Sequence, residues 1–236
     1  MSCYTGPVRL PPHLVSGNLI QRVNRFVVAV EVGGEVVHAH LANSGRLHEL
    51  MFPGAPVLLT PRPRVGRKTG LDLALVYVDG VWVSADARLP NRLVMEAVEE
   101  GRLGALAGLR VVRREPIFGG ARLDLLLGGP QGQVLVEAKS VTLVEGGMAL
   151  FPDAPTLRGR RHLQALMEAL RQGLGAAVIF VVQREDAQAF SPHHGADPAF
   201  ARALGEAHRS GVMVLAYRCR VSPQEVAIAD PVPVCV

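Results

Sequence analysis

The sequence predicts two units: a small all-β barrel over residues 1–84 and a layered α/β domain over residues 85–236. Three observations carry this. Short apolar, β-branched runs separated by Gly-containing turns fill the first third, with no convincing helix. From about Ala85 the apolar spacing becomes helical and then alternates between helix and strand. Hydrophobic residues make up 49% of the chain and charged residues 19%, enough for a sizeable core and too apolar for a disordered chain.

The elements follow in order. Leu19–Val32, LIQRVNRFVVAVEV, reads as a strand that Gly33-Gly34 turn into Glu35–Leu41. Pro53-Gly54 introduce a short strand around Val57–Leu59, and Asp79-Gly80 join Leu71–Val78 to Val81–Val83. Five such strands suggest a barrel of the OB type. His38 and His40 read as barrel residues, and Asn43–Leu50 as one helical turn or a loop.

In the second unit, Leu93, Val94, Ala97 and Val98 mark a helix over Asn91–Glu100, closed by Gly101. Arg122–Leu127 and Gln133–Lys139 are strands joined by GGPQG. Thr156–Gln172 is a helix with Leu163, Leu166, Met167 and Leu170 on one face. Ala176–Val182 is continuously apolar and so a strand buried on both faces. Asp197-Pro198 open a helix that runs to Gly211, and Val212–Tyr217 is the last central strand. The order gives a mixed sheet flanked by helices.

No apolar run reaches the ~18 residues that a membrane span needs, and the N-terminus has no signal-peptide pattern. Cys3, Cys219 and Cys235 are scattered, without CxxC spacing, which points to a reducing compartment and packing roles. The expectation is a soluble cytoplasmic protein, with nucleoid association left open.

Charge narrows the function. Lys and Arg number 25 against 21 Asp and Glu. Pro61–Gly70, PRPRVGRKTG, holds Arg62, Arg64, Arg67 and Lys68 and no acid, so this one segment equals the whole excess of positive charge. It reads either as an exposed basic loop that attracts phosphates or as a solvated turn. The chain has only two lysines, Lys68 and Lys139.

The second unit carries the chemistry. If Gly128 pairs with Gln133, leaving Gly129–Gly132 as the loop, Asp124 lies across from Glu137 with side chains about 5 Å apart. Two carboxylates so placed repel unless a proton or cation sits between them. Hard oxygen ligands suit Mg²⁺ or Mn²⁺. Lys139 falls on the same face as Glu137, about 7 Å along the strand, where an ammonium can orient water or offset charge on a phosphate. The surrounding residues are apolar, which sets this apart from ion pairs on a surface hairpin. The helix start crowds Arg158, Arg160, Arg161 and His162 where the dipole disfavours cations, which suits either an approaching polyanion or side chains that simply point into water, and Gln164 flanks them. His193-His194 lack metal-ligand spacing.

Strand, Asp, turn, strand, Glu-x-Lys and helix together resemble the PD-(D/E)XK nuclease superfamily, with Asp124, Glu137 and Lys139 on its signature positions and Leu123 where the pattern has Pro. The resemblance implies an acid from the preceding helix, and Glu96 is the best match, with Glu99 behind it. Over longer stretches, ANSGRLHELMFPG (42–54), PNRL with the following helix (90–98), VEAKSVTL (136–143), FPDAPTLRGRRHLQ (151–164) and FSP (190–192) resemble the sugar fermentation stimulation protein A family. That resemblance implies an OB-like domain followed by a nuclease-like domain. It further implies DNA binding with little sequence preference and a regulatory link to maltose and sugar use in bacteria.

Three functions follow as expectations. The first is a DNA-binding protein whose nuclease-like site serves binding or regulation, catalytic or not. The second is a working Mg²⁺-dependent nuclease, which the complete Asp–Glu–Lys set favours over a relic. The third, ranked last, is a protein-interaction or small-ligand module in sugar metabolism. Asp124, Glu137 and Glu96 are the expected metal ligands, and Lys139 joins them as catalytic. Arg62, Arg64, Arg67, Lys68, Arg158, Arg160, Arg161, His162 and Gln164 are the expected contacts to nucleic acid. RNA and a homodimer stay open.

Overall fold

The structure is a computed structural model that describes residues 8–63, 66–130 and 132–236. After β1 (Val8–Arg9) come the barrel strands β2 (Val15–Asn24), β3 (Val27–Val32), β4 (Glu35–His40), β5 (Pro56–Pro61) and β6 (Leu71–Val78), then β7 (Val81–Ser84). Sheet order β4-β3-β2-β5-β6 closes on itself through a parallel β4–β6 pairing at His40 and Asp72, which makes a closed five-stranded barrel. Leu19, Val28, Val30, Ala39, Leu59 and Leu73 fill its interior.

The stretch expected as one strand over Leu19–Val32 is a hairpin. Asn24 Oδ1 accepts the Phe26 backbone N–H at 2.9 Å, so the turn over Arg25-Phe26 is made by a side chain, without Gly or Pro. Asn43–Leu50 is a loop with a turn at its end.

The second sheet has seven strands. They are β1, β8 (Arg110–Arg114), β11 (Leu125–Gly129), β12 (Gly132–Val141), β15 (Gly175–Val182), β17 (Met213–Val221) and β18 (Glu225–Pro231). Their spatial order is β1-β18-β17-β15-β12-β11-β8, parallel at β12–β15–β17 and antiparallel elsewhere. Although β1 precedes the barrel, it pairs with β18 and so belongs to this sheet.

Helix α1 (Leu89–Glu99) packs on one face of the sheet, its Leu93, Val94 and Ala97 against Leu125, Val136 and Ala138. Helices α2 (Leu157–Arg171) and α3 (Pro198–Arg209) cover the other face, where Leu163, Leu166, Phe200 and Leu204 meet Leu135, Val178 and Phe180. Thr156 caps α2 by accepting the Gly159 N–H at 3.0 Å, and Asp197 caps α3 through the Phe200 N–H at 2.9 Å. Asp197 also accepts the Thr156 N–H at 2.7 Å, so one carboxylate fixes both helix starts. Among the described residues no helix is long and apolar enough to cross a membrane.

Arg122–Leu127 is not one continuous strand. Ala121–Arg122 (β10) pairs with Ile117–Phe118 (β9), Leu123-Asp124 are irregular, and pairing with β12 begins at Leu125. Gly128 does pair with Gln133, and Gly129 pairs with Gly132 as well, so the connection shrinks to residues 130–131. A small third sheet, β13 (Val144–Glu145), β14 (Met148–Phe151) and β16 (Ala189–Pro192), lies beside α3. Cys219 is buried as a packing residue, whereas Cys235 is exposed.

Hydrogen bonds tie the barrel to the α/β unit. Ser84 N–H donates to the Gln183 carbonyl at 3.0 Å. Thr142 Oγ1 donates to Glu49 at 2.7 Å, and Asp153 accepts the Arg46 and Leu47 N–H groups at 2.6 and 3.2 Å.

Candidate metal and nucleic-acid site

The break before β11 builds the site. Leu125 pairs with Val136, and the Asp124 N–H donates to the Val136 carbonyl at 3.2 Å, which places Asp124 one step on, opposite Glu137. Because the backbone is irregular at Leu123-Asp124, the next N–H of β12, that of Ala138, is taken by the Asp124 side chain at 2.8 Å. Asn91, in the first turn of α1, donates to the other Asp124 oxygen at 2.6 Å.

Strand β12 is the central supplier. Its Val136 and Ala138 enter the core beneath α1, so alternation sends Leu135, Glu137 and Lys139 to the face under α2. Lys139 Nζ donates to Glu137 Oε1 at 2.6 Å. His162 of α2 bonds the same oxygen through Nδ1 and accepts from Arg158 Nε at 3.3 Å through Nε2, which makes it a donor to Glu137. Glu137 Oε2 is buried with no hydrogen-bond partner.

The two carboxyls differ. Burial, and after it the charge of Glu137, push Asp124 up to about 6 against the bonds from Ala138 and Asn91. Burial acts in the same direction on Glu137, yet the His162 bond and the Lys139 charge outweigh it and hold that carboxyl below the usual range. Glu137 is thus held low while Asp124 is pushed up to about 6.

Both lie in a cavity of ≈ 620 Å³ between the two units. Asp124, Glu137 and Lys139 are on its floor, and Arg25 and the 43–47 loop of the barrel face them, with Arg158 at the start of α2. A second groove of ≈ 820 Å³ runs between the Gly119-Gly120 turn and α2, past Arg122, Arg161 and Gln164, and shares Arg158 with the first. Arg158 and Arg161 have no carboxylate partner among the described residues, whereas Arg171 beside them pairs with Glu168 at 2.8 Å.

The other expected site residues divide. Glu96 is 1% exposed on α1, a helix packed on the sheet face opposite Glu137; it takes Arg92 Nε at 3.0 Å and does not line the cavity. Asn91 five residues earlier is the α1 side chain that reaches Asp124. His162 is buried against Glu137 instead of facing outward. Arg160 turns toward Asp197, where its charge adds to the Thr156 and Phe200 amides in holding that carboxyl low against burial.

In the basic loop, Arg62 and Arg67 both reach Asp72, which is 3% exposed, and Arg88 joins them at 3.3 Å. The loop is therefore anchored on a buried acid that follows it in sequence. Lys68 is exposed with no ion pair among the described residues, and Arg64 lies outside the described residues.

Known proteins are similar to this chain. A profile described as the SfsA N-terminal OB domain matches residues 20–85, and one described as the sugar fermentation stimulation protein RE domain matches residues 88–225. A sugar fermentation stimulation protein homolog of Natranaerobius thermophilus is 46% identical over 225 residues, 94% of each chain. The homolog of Moorella thermoacetica is 46% identical over 96% of this chain and 99% of its own. The solved structure of Pyrococcus furiosus SfsA in complex with Ca²⁺ superposes with a TM-score of 0.90 at 32% identity, over 98% of this chain and all of that one. The chain belongs to the sugar fermentation stimulation protein family.

Proposed function

We propose that this chain binds nucleic acid with little sequence preference and that its cleft is a divalent-metal phosphodiesterase site. The observation that carries the reading is the Asp124–Glu137 pair beside Lys139, with Glu137 Oε2 buried and unpartnered. An orphaned carboxylate oxygen is costly unless something positive meets it. Among the described residues no cluster of three His, Cys, Asp or Glu is set to hold a metal. The two carboxylates, with a backbone oxygen such as that of Ala138 and water, fit Mg²⁺ or Mn²⁺, which need only one or two protein carboxylates. The Ca²⁺ in the Pyrococcus furiosus relative supports a divalent-cation site here.

A bound cation would supply Lewis-acid polarisation of a phosphoryl oxygen and acidify an attacking water. The protein's own groups do the rest. Asn91 and the Ala138 amide aim Asp124, while His162 and Lys139 hold Glu137 ionised. Lys139 Nζ offsets charge that builds on the phosphate in the transition state. Arg25 and Arg158 at the cavity wall meet flanking phosphates. On this reading the family's link to sugar use is regulatory and runs through nucleic acid.

Calorimetric titration of Mn²⁺ into wild type and Asp124→Asn tests the reading. Wild type gives a saturating heat and the variant none; equal heats, or none in either up to millimolar metal, overturn it.

A further inference from the structure

The barrel carries a feature that the carboxylate site does not use. Phe26, in the turn between β2 and β3, is 44% exposed. The Arg25 guanidinium sits 5.4 Å from its centroid. The His40 ring lies beside it at 6.4 Å, tilted by 31° and held by a hydrogen bond between Nδ1 and the Phe26 carbonyl at 3.1 Å. Phe26 and His40 share a shallow cavity of ≈ 420 Å³ with Arg67 and Lys68 of the basic loop. An exposed aromatic face among cations is the chemistry of a base-stacking platform for unpaired nucleotides, since a base must leave the helix stack to reach it. The two segments that form it, the turn between the barrel's first and second strands and the loop between its fourth and fifth, are those by which barrels of this type take oligonucleotides.

The platform and the carboxylate cleft meet at Arg25. Arg25 stacks over Phe26 and also lines the cavity of Asp124 and Glu137. Beneath them, Arg22 donates to the Arg25 carbonyl at 2.7 Å and to the Gly45 and Arg46 carbonyls at 2.7 and 2.6 Å. One guanidinium thus pins the stacking turn to the loop that faces the carboxylates.

We infer that the ligand of this cleft is a single strand of nucleic acid, with a base stacked on Phe26 and the adjoining phosphates led past Arg25 to Asp124 and Glu137. The inference rests on the reading of the cleft as a nucleic-acid site and adds the strandedness of its substrate. Paired bases inside a duplex are stacked on both faces and have none to offer Phe26.

The test measures binding by the full chain in EDTA, so that it stands apart from the metal chemistry. Fluorescence anisotropy follows a labelled mixed-sequence 12-nucleotide DNA, the same sequence as RNA, and the blunt DNA duplex. Wild type binds at least one single strand more tightly than the duplex. Phe26→Ala weakens that binding about tenfold and leaves the duplex unchanged, while Phe26→Tyr keeps wild-type affinity. Equal binding of single strand and duplex, or an Ala variant that loses both alike or neither, overturns the inference. The DNA and RNA arms identify which sugar is accepted; tighter binding of either supports the stacking platform. A Phe26 effect without any Mn²⁺ heat would keep this path and sink the phosphodiesterase reading; the reverse would do the opposite.

Discussion

Asp153 of the α/β domain reaches the barrel and accepts the backbone N–H of Arg46 at 2.6 Å and that of Leu47 at 3.2 Å with a single oxygen. On its other side the same loop gives its carbonyls to Arg22. A loop with little regular structure is therefore held by an anion on its donors and a cation on its acceptors. Gly45 completes the fit, because a Cβ there would stand 2.7 Å from the Asp153 carboxylate.

Replacing Asp153 with Ala leaves both N–H groups without that acceptor and is expected to cost about 1–3 kcal/mol, seen as a lower urea midpoint. Asp153→Asn keeps an acceptor oxygen and should lose less. Two variants indistinguishable from wild type would show that the loop is held by other contacts.

Asp124 sets a pH dependence whose sign is fixed. Its folded value of about 6 lies above its ordinary 3.8, so the folded protein binds that proton more tightly than the unfolded chain. This contribution to stability is full below about 3.8 and is lost as pH rises through about 6. The loss is on the order of 2–3 kcal/mol at 1.36 kcal/mol per unit. In EDTA, Asp124→Asn should remove that part of the decline in stability between pH 4 and 7. The same proton competes with metal, so Mn²⁺ affinity should rise over that range in wild type. A pH-independent Mn²⁺ affinity would contradict the assignment.

Lys139 and metal binding are separable. Lys139→Met should retain the Mn²⁺ heat yet lower any cleavage of labelled single strands by about 10²–10³-fold, the usual effect of removing one transition-state donor. Loss of the heat together with the activity would mean that Lys139 holds Glu137 in place and does nothing further.

The basic loop should behave as two parts. Lys68→Ala should flatten the dependence of DNA affinity on salt by about one unit, with stability unchanged. Arg62→Ala with Arg67→Ala should lower the melting temperature as well, since Asp72 is buried and of its three described arginine partners keeps Arg88. If all three substitutions affect only the salt slope, the Asp72 anchor is energetically idle.

The sequence made local features legible and left distant ones hidden. The α2 start shows at Thr156, the α3 start at Asp197, and the opposition of Asp124 and Glu137 follows from pairing across a short turn. The hairpin at Arg25-Phe26 was unreadable because an Asn side chain makes the turn in a run with no Gly or Pro. Asn91 and His162 stand 33 and 25 residues from the acids they touch, and Asp153 stands 107 from Arg46. No periodicity reports such distances. The neighbours of His162 are exposed arginines, but it sits on the turn of α2 that faces the sheet, and no local pattern shows its bond to Glu137. Glu96 misled because spacing along α1 gives its face but not the sheet surface that α1 covers.

Strand β1 lays Val8 and Arg9 against Val226 and Glu225. The barrel is therefore an excursion inside the chain of the larger sheet, which is begun before residue 10 and finished beyond residue 224. During synthesis the first strand has to wait, uncommitted, while the barrel and every other strand are made. A fragment that starts at the barrel's end would uncover the edge of β18 at Glu225 and Val226 and lengthen the row of donors and acceptors open to another copy. Cutting the protein between its two units thus separates the wrong things: the true seam runs through the sheet's outer edge, and isolated halves should be judged by whether they self-associate.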